Sequence, residues 1–207
     1  MKLHELESSL QQVQDFISPK ITLEQYITPP HIAARMLHVA ELSYGDIIDK
    51  NILDLGMGTG MLSIGAAILG ANTINSIEID PDAIAIAEQN LSTLEIDNIT
   101  IHNADVASIN TDNFPNINTV LLNPPFGTKN NAGIDILFLT KAIEISKGSV
   151  YSLHKSSTIN HVVRVAKKYH VTVDVIATLH YDLPKTMKFH KKNVETVSVD
   201  IVRIQKR

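Results

Sequence analysis

The stretch Asn123-Pro124-Pro125-Phe126-Gly127 gathers a primary amide, a backbone carbonyl between two fixed φ angles and an aromatic ring. These groups suit alkylation of a nitrogen whose lone pair is delocalised, as in an amide or an amino-substituted ring. Such a nitrogen is nearly non-basic, and removing a proton from it beforehand is harder still. If the Asn123 side-chain oxygen and the Pro124 carbonyl accept hydrogen bonds from its two protons, the nitrogen turns pyramidal and regains a nucleophilic pair, with no titrating base. The prolines stiffen the loop and keep the carbonyl aimed. Phe126 offers a ring against which a flipped base can stack. Asn-Pro-Pro also makes an ordinary turn, so position must decide.

Three further positions suit a ligand with an adenosyl group. Asp54-Leu55-Gly56-Met57-Gly58-Thr59-Gly60 has the glycine spacing of a strand-to-helix turn approached closely by a ligand, near the positive end of a helix dipole. That spacing serves nicotinamide, flavin and S-adenosylmethionine alike. Glu78 follows Gly58 by twenty residues, the interval at which a carboxylate accepts hydrogen bonds from both hydroxyls of a ribose. Asp105 can accept from the exocyclic amine of adenine, and equally can cap a helical turn at 106–109.

The elements that position these residues follow from the apolar patterning. Short apolar runs at 51–55, 73–79, 98–102 and 118–122 alternate with helical periodicity at 61–69, 82–91 and 135–146. That alternation predicts βαβ units around a parallel sheet buried on both faces. A fifth strand at 149–153 and a helix at 158–169 continue the series, and 171–179 and 194–203 follow as a hairpin. The expectation is an α/β Rossmann-like seven-stranded sandwich, with parallel strands 1–5 and an antiparallel C-terminal pair. It forms a single domain over 1–207 with an N-terminal helical extension over 1–44. Within that extension, 2–14 reads as an amphipathic helix, and a second helix opens at Pro29-Pro30 and ends near Tyr44-Gly45.

Composition narrows the function classes. The 207 residues, 44% apolar and 19% charged, contain no cysteine, which excludes disulfides and thiolate-held metal centres from the chain's own residues. No metal site is expected. Lys2, Glu5 and Glu7 interrupt the first residues, so export is not expected and an intracellular setting is.

Charge is polarised: residues 1–146 hold 6 Lys+Arg against 18 Asp+Glu, a net of −12, and residues 147–207 hold 12 against 4, a net of +8. Lys185, Lys188, Lys191 and Lys192 surround Phe189 and His190 between the last two strands, a mixture suited to single-stranded RNA. Lys129 and Lys155 would edge the same crevice. The lysine loop also reads as a hydrophilic hairpin, and His154 as a residue that orients a loop.

With these residues in view, the set 54–60, Glu78, Asp105 and 123–126 resembles the class I S-adenosylmethionine-dependent amino-methyltransferases. Leu23-Glu24-Gln25-Tyr26, His31-Ile32-Ala33-Ala34-Arg35-Met36-Leu37, Asn123-Pro124-Pro125-Phe126-Gly127-Thr128-Lys129-Asn130-Asn131 and Tyr151-Ser152-Leu153-His154-Lys155 extend the likeness. So do Tyr181-Asp182-Leu183-Pro184 and Lys188-Phe189-His190-Lys191-Lys192. Across nearly the whole chain it is similar to the methyltransferase-like protein 5 family, which makes N6-methyladenosine in small-subunit ribosomal RNA.

The resemblance implies S-adenosylmethionine as methyl donor, with Gln25 and Thr28 added to its pocket beside Gly56, Thr59, Glu78 and Asp105. It implies that 123–126 hold both cofactor and adenine. A small zinc-ribbon activator as heterodimer partner, and residence in the cytoplasm or nucleolus, are implied as well. The third strand, around 98–102, would be the sheet edge open to such a partner. Alternatives at this point are a DNA adenine or protein glutamine methyltransferase, and a catalytically silent RNA-binding domain of the same fold.

Overall fold

The computed structural model describes residues 1–127, 131–184 and 194–206. Among the described residues, six α-helices and seven strands alternate much as the patterning requires. Helices α1 (Leu3–Leu10) and α2 (Pro30–Tyr44) precede β1 (Asn51–Leu55), α3 (Met61–Leu69), β2 (Thr73–Glu78), α4 (Pro81–Thr93) and β3 (Ile99–Asn103). Then come β4 (Thr119–Leu122), α5 (Ile134–Ile145), β5 (Ser149–Lys155), α6 (Ile159–Ala166), β6 (Val171–Pro184) and β7 (Val194–Lys206).

The strands form one sheet in the order β3-β2-β1-β4-β5-β7-β6, parallel from β3 through β5 and antiparallel at β7 and β6. Successive strand residues are buried on opposite faces. Ile52, Ile74 and Leu121 join the cluster under α1, α2 and α3, whereas Leu53, Ile77 and Val120 join that under α5 and α6. Burial on both faces removes the polar alternation that a half-solvated strand would show. Chain order reverses between β1 and β4, so the crevice at their carboxyl ends is where a ligand fits such a sheet.

Three of the boundaries that differ from the sequence expectation have a local cause. Helix α1 stops at Leu10, although Val13 stays buried, because Gln12 and Val13 donate to Ser9 and Leu10 in tighter three-residue turns. The segment 158–169 is α6 between two 3₁₀ turns, and His170 in the left-handed region ends it. Strand β6 runs on to Pro184, which an edge strand tolerates because no ladder bond is lost on its outer side. Part of the C-terminal positive charge is internal. Arg203 is buried, donates to Asp46 Oδ2 at 3.0 Å and stacks on Tyr44, which removes it from any nucleic-acid surface. Among the described residues, no helix is long and apolar enough to cross a membrane.

Candidate active site

The turn after β1 depends on two glycines with positive φ, Gly56 at 71° and Gly58 at 56°. A Cβ at either would lie 2.9 Å from a ring, Phe138 Cε1 at Gly56 and Phe16 Cζ at Gly58, so backbone conformation and space both demand glycine. Gly60 opens α3 with φ 102° and shapes the turn, while Gly56, Gly58 and Thr59 face the cleft. The N-terminal extension closes over this turn. Asn90 on α4 donates to the carbonyls of Gln14 and Thr59, tying residue 14 to the loop.

Glu78, at the end of β2, is aimed by three backbone donors: Gly58 to Oε2, and Ile79 and Asp80 to Oε1, each at 2.9 Å. Burial pushes its carboxyl above the usual carboxylate range, and those N–H groups oppose the shift. Asp105 lines the same cleft, and its Oδ1 accepts from Ala107 N at 2.8 Å, capping the turn Val106–Ser108. The capping role is therefore real, and the carboxylate keeps acceptor capacity beyond that one bond.

A strap of residues 20–28 crosses from the cofactor side to the loop after β4. Gln25 Oε1 accepts from Lys20 N, and its Nε2 donates to Asp80 Oδ2 at 2.6 Å. Lys20 pairs with Asp80 and Asp82. Burial tends to raise the Asp80 carboxyl, but the bonds from Lys20 and Gln25 hold it below its ordinary value. Glu24 accepts from Asn131. Thr28 Oγ1 accepts from Asn123 Nδ2 at 2.8 Å, and this bond decides which way the amide faces. With Nδ2 engaged, Asn123 Oδ1 is buried and has no partner. Thr28→Val should lower kcat about tenfold by freeing the amide to turn, with Thr28→Ser restoring it. Single-turnover rates of the three proteins check this.

Tyr26 lies between strap and loop, its ring stacked on Phe126 at 5.2 Å and its hydroxyl donating to the Pro124 carbonyl at 3.1 Å. Lys155 Nζ is 5.0 Å from the Phe126 ring centroid. Of the expected positions, Gln25, Thr28, Asp54, Gly56, Gly58, Thr59, Glu78, Asp105, Asn123 and Pro125 line one cleft. Lys129, Lys185, Lys188, Phe189, His190, Lys191 and Lys192 lie outside the described residues. Phe16 and Phe138 also line the cleft without any local spacing that marks them, and so does Asn131, which belongs to the run 123–131 that carries the family resemblance but has no expected role in the site.

Asp54 Oδ2 accepts from Ser63 N and Oγ, and its Oδ1 is unpartnered. Burial pushes this carboxyl up to about 7, and burial pushes His154, on β5, down to about 4. An Asp54 raised above its unfolded value adds stability as pH falls from about 7, because the folded state then binds the extra proton. His154, depressed below its unfolded value, loses stability over the same interval. The two oppose each other. Asp54→Asn removes the first alone, so its melting temperature should fall more between about pH 7 and about pH 5 than that of the unsubstituted protein. Paired thermal melts at the two pH values measure this.

Asp54 Oδ1, Thr59 Oγ1 and Asn123 Oδ1 are the buried side-chain atoms without partners among the described residues, and all three belong to residues lining this cleft. Buried polar atoms are normally paired, so their concentration at one site marks a place built for a polar ligand. Together with a glycine turn and carboxylates at successive strand ends, they define a nucleotide-type cofactor cleft beside an amine-accepting loop, the arrangement of a class I methyltransferase.

The comparisons agree. Residues 33–192 match the methyltransferase small domain family. The chain is 49% identical over 203 residues to the rRNA N(6)-adenosine-methyltransferase METTL5 of Danio rerio, spanning 98% of each chain. It is 42% identical over 206 residues to Mettl5 of Drosophila melanogaster, spanning 99% of this chain and 97% of that one. A Pyrococcus horikoshii protein crystallised as a candidate RNA methyltransferase superposes with a TM-score of 0.88 at 35% identity, covering all of this chain and 98% of the other. The chain belongs to the methyltransferase small domain family, and within it to the METTL5 family.

Proposed function

We propose that this protein transfers a methyl group from S-adenosylmethionine to N6 of an adenosine in RNA, most specifically small-subunit ribosomal RNA. The observation that carries this is the buried, unpartnered Asn123 Oδ1, held by Thr28 at the cleft wall. When bound, S-adenosylmethionine supplies an electrophilic methyl carbon on a positively charged sulfur. Gly56, Gly58 and Thr59 would hold it at the turn, with Glu78 on its ribose, Asp105 on its adenine amine, and Gln25, Thr28 and Asp54 along the remaining wall. The carboxylates of Asp54, Glu78 and Asp105 suit a cationic ligand.

Asn123 Oδ1 and the Pro124 carbonyl accept the two N6 protons, so the nitrogen pair points out of the ring plane. Pro124 and Pro125 keep the acceptors fixed, and Phe126 gives the base a stacking surface. Rigid aim matters because displacement at carbon needs the reacting atoms in line. The nitrogen–carbon bond would form as the carbon–sulfur bond breaks, the sulfur leaving as a neutral thioether. The alkylated nitrogen, then cationic and strongly acidic, would give one of its two protons to solvent. His154 is held neutral by burial, and the reaction asks no proton of it.

Lys155, 5.0 Å from the Phe126 ring centroid, is the described lysine among those expected to meet RNA. Lys129, Lys185, Lys188, Phe189, His190, Lys191 and Lys192 complete the proposed RNA-binding set. The names of the METTL5 relatives support ribosomal RNA as substrate. Work on that RNA would place the protein in the cytoplasm or nucleolus. A small zinc-ribbon activator is the proposed partner, and the free side of β3 at the sheet edge is the surface offered to it.

The test is incubation of the purified protein, with and without such an activator, with isotopically labelled methyl donor and, in parallel, total RNA, duplex DNA or a cell-protein extract. Label is expected in small-subunit ribosomal RNA. Label in DNA or protein instead, or binding of the donor without transfer, would refute the reading.

A further inference from the structure

We propose that Tyr26 keeps the target base's place in the cleft and yields it only to a base that remakes the same two contacts. This rests on the reading of Asn123 and Pro124 as the acceptors of the amine. The Tyr26 ring lies nearly parallel to Phe126, 5.2 Å between centroids and 22° between planes, and its hydroxyl donates to the Pro124 carbonyl at 3.1 Å. An adenine poised for transfer needs that same ring for stacking and that same carbonyl for one N6 proton. Tyr26 thus imitates the substrate in shape and in hydrogen bonding.

The cleft wall agrees with this. Among the described residues it includes Tyr26, Asn123 and Pro125, whereas Pro124 is buried with its carbonyl engaged by Tyr26, so that half of the amine clamp is covered while the buried Asn123 Oδ1 has no partner. The backbone on either side of Tyr26 is anchored, by Gln25 on Asp80 and by Thr28 under Asn123. Exchange therefore falls to rotation of the Tyr26 side chain while the strap stays in place. Lys155, 5.0 Å from the Phe126 centroid, gives that ring a contact that does not depend on Tyr26.

Base selection follows from the exchange. A pyrimidine has less ring surface to replace the tyrosine on Phe126. A purine carrying a carbonyl at C6 would set lone pairs against the Pro124 carbonyl where the hydroxyl had donated a proton. Adenine restores both contacts and adds the bond to Asn123.

The test titrates a fluorescein-labelled RNA that the full chain methylates, in the presence of S-adenosylhomocysteine, against the unsubstituted protein and Tyr26→Phe. Removing one hydroxyl-to-carbonyl bond from the free state tightens binding about fivefold by fluorescence anisotropy. The tightening disappears when the target nucleoside is abasic. In turnover, kcat/KM rises by a similar factor, carried by KM.

Equal tightening on both RNAs, no tightening, or a fall in kcat would overturn the proposal. Asn123→Ala, run alongside, separates the two possible failures. If it keeps turnover, the clamp reading falls and this proposal with it. If it loses turnover while Tyr26→Phe behaves like the unsubstituted protein, this proposal falls alone.

Discussion

Asn123→Ala lowers the rate of methyl transfer by about a thousandfold or more, while affinity for S-adenosylmethionine stays within about fivefold. The truncation removes the acceptor that holds one N6 proton so that the nitrogen lone pair leaves conjugation with the ring, and the loss is in the chemical step. Removing one preorganised donor or acceptor from a transition state typically costs a factor of this size. Asn123→Asp retains an oxygen at the same position, and the Thr28 hydroxyl, which now accepts from Nδ2, can rotate to donate to it. The aspartate variant should therefore fall between alanine and asparagine. Single-turnover transfer of labelled methyl separates the three, and calorimetric titration of the cofactor shows whether binding survived. Full turnover in the alanine variant would mean the nitrogen is activated by another group.

Glu78→Ala has the second largest expected effect, and it acts on binding. The carboxylate is proposed to accept from both ribose hydroxyls, and a hydrogen bond to a charged group contributes about 1.5–3 kcal/mol. The same side chain organises the N–H groups of Gly58, Ile79 and Asp80. Its removal therefore loosens the glycine turn and the end of β2 together. Affinity for S-adenosylmethionine should drop at least about a hundredfold, with the ligand-induced rise in melting temperature largely lost. Glu78→Gln, which keeps one acceptor oxygen, should recover part of it. Unchanged calorimetric affinity in the alanine variant would remove Glu78 from the cofactor site.

Much of the fold was legible because burial on both faces leaves a plain signal. The runs at Ile52-Leu53 and Leu121-Leu122 are apolar without alternation, and short runs of that kind separated by helical periodicity are what a parallel sheet covered on both faces requires. Pro30 and Gly45 marked the ends of α2 through backbone chemistry that needs no tertiary context. Asn123, Glu78 and the glycine turn were legible for a related reason: each sits at a strand end, where topology alone brings them together.

The strap was not legible in the same way. Tyr26 meets Pro124 across 98 residues, and Thr28 meets Asn123 across 95, contacts that local periodicity cannot encode. The sequence therefore left Phe126 as an open stacking surface, whereas Tyr26 and Lys155 both address it. Arg203 likewise counts toward the positive charge of residues 147–207, although its guanidinium is buried against Asp46. A residue's net charge says nothing about which side of the sheet surface it occupies.

The most direct measurement of the central claim is the chemical position of the transferred methyl group. Ribosomal RNA labelled by the purified protein is digested to nucleosides and resolved by chromatography and mass spectrometry against synthetic standards. An amine gripped by Asn123 and Pro124 predicts the label in N6-methyladenosine. Label on a ring nitrogen, a carbon or a ribose hydroxyl would contradict it.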